Sequence, residues 1–132
     1  MRLLVQTLIV FSTSLALAHH HNGSDGRIGN LVQESRFLSQ AVANTNIAYS
    51  VKSAVYRFGA SVENLWRCVI SQSANDNAER HHNDQVPAQC RYQFDTVRNA
   101  WSPVNYYLSD AWDFPAVYDS YRDTAEVLYA IP

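Results

Sequence analysis

The feature that most constrains this chain is a recurrence of apolar residues at alternating steps of four and three. Val51, Val55, Phe58, Val62, Leu65 and Val69 form the cleanest series. In a helix such steps return to one face, and sustained alternation is a heptad seam. Cys90, Phe94, Val97, Trp101, Val104 and Leu108 repeat the pattern. Leu31, Ser35, Leu38, Val42 and Thr45 precede it, within a helical pattern from Ile28 onward, and Phe114, Val117, Tyr121, Thr124 and Leu128 follow. No segment shows the sustained period-two alternation of a strand. The expected fold is all-α: a small antiparallel four-helix bundle built from two helical hairpins.

Local signals punctuate the series. Ser24 or Asp25 is placed to cap the first helix. Asn44-Thr45-Asn46 is a run of poor helix formers where the apolar phase shifts. It reads as a short break or turn, with a kinked continuous helix as the alternative. Gly59 costs helix stability beside the second seam but permits close packing. That seam ends near Ser71, and residues 72–86 form the longest loop. Pro87 suits the first position of the next helix, where its missing N–H costs nothing. Pro103 lies inside that helix and is expected to kink it. Ser109 to Asp113 breaks the pattern, with Asp113 as cap of the last helix and Pro115 in its first turn.

The two cysteines test the hairpin independently. Cys68 falls just before the end of the second helix and Cys90 just after the start of the third. In an antiparallel hairpin these positions face each other across the loop, so a Cys68–Cys90 disulfide is expected.

The N-terminus suggests the compartment. Arg2, an apolar run from Leu3 to Leu17 and the small-residue pattern Ala16-Leu17-Ala18 have the form of a secretory signal peptide over residues 1–18. The run is too short and interrupted for a stable membrane span. The expected organisation is a signal peptide (1–18), a polar linker (19–26) and one helical domain (27–132), in a secreted or periplasmic protein. An oxidising compartment agrees with a bonded cysteine pair. Without Arg2 the chain keeps nine basic side chains against twelve acidic ones. Lys52 is the only lysine and the arginines are scattered singly. Attraction to nucleic acid needs clustered positive charge, so nucleic acid is not an expected partner.

Several chemistries find no residues. All five histidines (His19, His20, His21, His81 and His82) lie outside the expected helices, and Met1 is the only methionine. A bundle haem needs a His or Met projecting inward from a helix. A di-iron bundle needs two Glu-x-x-His motifs, and Glu79-Arg80-His81-His82 supplies one, in a loop. Nothing like G-x-S-x-G surrounds a serine, and no glycine-rich phosphate loop occurs. Helical spacing does not select a working pair from Glu34, Glu63, Asp95 and Glu126. No enzyme signature emerges.

The histidines offer one chemistry of their own. Cleavage after Ala18 gives His19 a free α-amine and makes His21 the third residue. The amine, two backbone amides and the third imidazole form a square-planar nitrogen set, the geometry preferred by Cu(II) and Ni(II). Deprotonation of the amides makes such binding weaken on acidification. His19 can instead chelate through its amine and ring, and His20 competes with both modes. His81 and His82, with Asp76, Glu79 and Asp84 nearby, form a second candidate metal site. In an up-down-up-down bundle the tail and this loop share one end.

Aromatic residues supply the other candidate. Trp66, Tyr106, Tyr107 and Trp112 lie off the main seams and are the best candidates for a surface that takes a protein partner or small ligand. Such a surface can also serve a homodimer. The expected function is binding through this aromatic surface; the alternative is Cu(II) or Ni(II) binding by His19 to His21.

Overall fold

The computed structural model of the chain describes residues 26–75 and 84–132. Among them are four α-helices and no strand: α1 (Gly26–Ala43), α2 (Tyr49–Asn75), α3 (Arg91–Leu108) and α4 (Pro115–Tyr129). They form a helical bundle with one core. The expected leader, the linker residues before Gly26 and the histidines at 19, 20, 21, 81 and 82 lie outside the described residues.

The four-three series are the core. Every member of the α2 and α3 series is buried, as are Leu31, Ser35, Leu38 and Val42 of α1 and Val117, Tyr121, Thr124 and Leu128 of α4. Removing these side chains from water is the main driving force for the fold. The hydroxyls of buried Ser35, Ser61 and Thr124 are satisfied within their own helices, whereas that of half-buried Ser120 has no partner among the described residues. Ser35 donates to the Val32 carbonyl (2.8 Å), Ser61 to that of Phe58 (2.6 Å) and Thr124 to that of Ser120 (2.8 Å).

The helices meet through identifiable contacts. The Arg36 guanidinium donates to both carboxylate oxygens of Glu63 at 2.8 and 2.9 Å, joining α1 to α2. Phe58 of α2 packs on Trp101 of α3 with ring centroids 4.9 Å apart. The Thr124 hydroxyl of α4 also lies 3.3 Å from the Glu34 carbonyl of α1, sharing its one proton between the two acceptors. Arg27 reaches the Ala130 carbonyl at 3.2 Å. Cys68 and Cys90 form the expected disulfide, with Cα atoms 5.8 Å apart.

Several boundaries differ from the sequence expectation. The break after α1 is a true interruption: residues 44–48 are non-helical. Thr45 therefore leaves the first seam, is only half-buried, and turns its hydroxyl to the Ala41 carbonyl (2.6 Å). α2 runs on to Asn75, through residues expected to begin the loop. Pro87 does not open α3. It is extended (φ −57°, ψ 147°) and precedes a 3-10 turn, Ala88–Cys90, closed by the Cys90 N–H on the Pro87 carbonyl at 2.9 Å. As expected, Pro103 lies inside α3, which runs to Leu108. Pro103 and Asn99, whose carbonyl loses its donor, are both exposed, so that carbonyl is open to solvent. Asp113 is not the cap of α4. Pro115 occupies the first helical position and Phe114 becomes the N-cap (φ −124°, ψ 77°), as suits a residue held out of the helical region by a following proline. Gly26 opens α1 with φ 72°, a value only glycine adopts freely.

Candidate functional site

The α3 seam carries aromatic residues at 94 and 101, and α4 brings Tyr121, Leu128 and Tyr129 against them. Trp101 is the junction. It stacks on Tyr121 (centroids 5.5 Å apart, planes 8° apart) and meets Tyr129 edge-to-face at 6.4 Å. Its indole N–H donates to the Tyr129 hydroxyl oxygen at 2.9 Å, so the buried polar atom is satisfied. Tyr121 continues the series to Tyr118 (5.8 Å), and Tyr118 to Trp112 (4.5 Å). Tyr121 donates its hydroxyl to Asn105 Oδ1 at 2.6 Å. Burial raises its pKa above the usual tyrosine value, with Tyr129, Tyr118 and Asp110 adding to the effect.

This junction borders an open cleft of about 430 Å³. Buried Phe94, Trp101, Leu128 and Ile131 form its floor, and Arg98 and Tyr129 stand at its edges. The volume lies in the range of small-molecule sites, which combine apolar walls with few polar groups. Tyr129 is 65% exposed, yet its hydroxyl is tied to Trp101, so the ring forms a positioned wall. Arg98 holds its guanidinium 5.9 Å from the Phe94 ring centroid, and Arg91 does the same. Arg98 alone of the two borders the cleft.

The structure spreads the four aromatic residues singled out in the sequence. Trp66 is half-buried against the core. Tyr106 and Tyr107 are exposed and meet edge-to-face at 5.5 Å. Trp112 is exposed and leans on Tyr118. Trp66 lies two residues from Cys68, at the disulfide end of the bundle, whereas Tyr106 lies 16 residues beyond Cys90. That separation is about 24 Å at a rise of about 1.5 Å per residue. Trp66 and the Tyr106–Tyr107 pair thus stand well apart along the bundle.

Sequence reasoning placed Phe94 and Trp101 in the seam and missed Arg98 and Tyr129 as site residues. The available signal was an arginine one turn after one seam aromatic and one turn before the next. Among the described residues no group of three or more His, Cys, Asp or Glu side chains is placed to hold a metal. No helix among them is long and apolar enough to cross a membrane. Comparison of the chain with protein-family models, curated proteins and solved structures finds no match.

Proposed function

We propose that this chain is an exported binding protein, an antiparallel four-helix bundle that takes a small ligand or partner on the aromatic surface between α3 and α4. The carrying observation is the cleft beside Trp101, with an apolar floor and an aromatic wall fixed by a hydrogen bond. The inter-helix contacts support the antiparallel arrangement. In each packed pair, later residues of one helix meet earlier residues of the other: Ser39 near Gly59 and Arg36 near Glu63, Phe58 near Trp101 and Cys68 near Cys90, Arg27 near Ala130 and Glu34 near Thr124. Export rests on the leader-like residues 1–18 and agrees with the disulfide. The test is a thermal-shift screen of small aromatic compounds and peptides. Hits that raise the melting temperature of the native protein but not of Tyr129→Ala support the cleft. Hits lost instead in Trp112→Ala or Tyr107→Ala move the site to the α3–α4 turn, and a concentration-dependent mass in solution would identify a homodimer.

One observation favours a second reading, Cu(II) or Ni(II) binding by His19 to His21. The backbone N–H of Arg27 donates to Asp84 Oδ1 at 3.0 Å, so the two points where the histidine-bearing segments join the fold are side by side. His21 is six residues from Arg27 and His82 two from Asp84. These are reaches of at most about 20 Å and 7 Å. The experiment is a Cu(II) titration of the exported chain against glycine, after intact mass has established that it starts at His19. One Cu(II) retained, with the visible absorption of a square-planar nitrogen site, supports this reading. Weakened retention in a His81→Ala, His82→Ala variant adds the loop to the site.

A further inference from the structure

We propose that the cleft between α3 and α4 is specific for a small aromatic monoanion, a carboxylate or sulfonate whose rings lie along Tyr129 and whose charged group is held by Arg98; this rests on reading the cleft as the binding surface.

The charge distribution selects the ligand. The protein is net acidic, yet among the described residues no Asp or Glu side chain borders this cleft, which Pro132 also lines. Among the described residues the Arg98 guanidinium has no carboxylate partner; its contact is the ring of Phe94. That cation–π contact keeps the guanidinium beside the floor and leaves its N–H fork available. A planar oxyanion matches this fork with two charge-assisted hydrogen bonds. The groove on the other side of α4, between it and α1, is the opposite case. Glu34, Asp123 and Glu126 border it beside Arg27, and it would repel the same ligand.

The walls select the shape. Floor residues Phe94, Trp101, Leu128 and Ile131 offer carbon atoms and no free donor, since the Trp101 N–H is already committed to Tyr129. The exposed ring of Tyr129 is the one large apolar face open to a ligand there. Its hydroxyl is tied, so little freedom remains to be lost on binding. A flat hydrocarbon body fits these surfaces better than a sugar or a charged peptide.

Two fluorescent probes with the same rings separate the terms. 1-Anilinonaphthalene-8-sulfonate carries the anion; N-phenyl-1-naphthylamine does not. Both are titrated into the native protein, Arg98→Gln, Tyr129→Ala and Arg91→Gln, with near-ultraviolet circular dichroism confirming intact packing in each. The expected result is tighter binding of the anionic probe. Arg98→Gln weakens it about tenfold and leaves the neutral probe unchanged. Tyr129→Ala weakens both probes, and Arg91→Gln changes neither. Equal affinity of the two probes for the native protein, or equal loss of both in Arg98→Gln, overturns the anion specificity while leaving the cleft as a binding surface. Binding of neither probe, or binding indifferent to Tyr129→Ala, overturns the cleft reading itself.

Discussion

Tyr121 shows how much one side chain does in this small core. It stacks on Trp101, touches Tyr118 and donates a 2.6 Å hydrogen bond to Asn105. Burial first, and its neighbours second, raise its pKa. In the unfolded chain the phenol loses its proton near pH 10, whereas the native state keeps it to higher pH. Above about pH 10 the unfolded state therefore binds fewer protons, and stability falls as pH rises towards the native pKa. Its contribution is fully present below that range. Tyr121→Phe is expected to cost about 1 kcal/mol at neutral pH, for the lost hydrogen bond, and to flatten the alkaline decline. Urea unfolding between pH 7 and 11 checks both. At this scale the sequence was readable for buried residues and poor for the site. Period-three-and-four spacing reports which side chains face inward. Arg98 and Tyr129 matter through partners on another helix, Tyr129 through the Trp101 N–H 28 residues away, and spacing along one helix carries no trace of that.

At the scale of elements, α1 and α2 approach closely at Gly59, where an added Cβ would lie 3.3 Å from Ser39 Oγ. The two terms oppose each other. Alanine gains about 0.8–1 kcal/mol of helix propensity. The contact is tight, but a serine hydroxyl on a rotatable bond can move a few tenths of an ångström. Gly59→Ala is expected to stabilise by up to about 0.8 kcal/mol, whereas Gly59→Leu, too large for that adjustment, destabilises; thermal melts of the two variants decide it. The Arg36–Glu63 pair beside it is largely exposed, and Glu63→Gln is expected to cost less than about 1 kcal/mol. The disulfide between α2 and α3 closes a 22-residue separation. The Cys68→Ala, Cys90→Ala double variant is expected to lose roughly 3 kcal/mol in denaturant unfolding, from the unfolded chain's added freedom. The bond was legible because two unrelated signals agreed, the seam phases and the cysteine positions. The helix starts were less legible. Pro87 and Pro115 both read as residues of a first helical turn, and only Pro115 is one. The difference is the 3-10 turn that carries Cys90 into the core, a tertiary demand with no local signature.

For the whole molecule, four helices, their buried faces and the disulfide followed from the sequence, while the cleft did not, because it forms where α3 and the end of α4 meet. A second property also belongs to the whole. The first and last helices of the fold are neighbours: α1 receives Thr124 of α4 at Glu34, and Arg27 reaches the carbonyl of Ala130. The four helices thus form a closed ring in space, and the order in which the chain visits them has one opening that chemistry could place elsewhere. Joining residues 26 and 132 by a linker of about four residues and opening the chain between Asn46 and Ile47, inside the non-helical connection, leaves every helix and the Cys68–Cys90 bond whole. Such a circular permutant is expected to keep native helicity and its cooperative melt, whereas one opened between Arg98 and Asn99 should lose both, as circular dichroism would show. The same closure makes the domain suited to insertion as a cassette into a surface loop of another protein, entering and leaving through one narrow doorway.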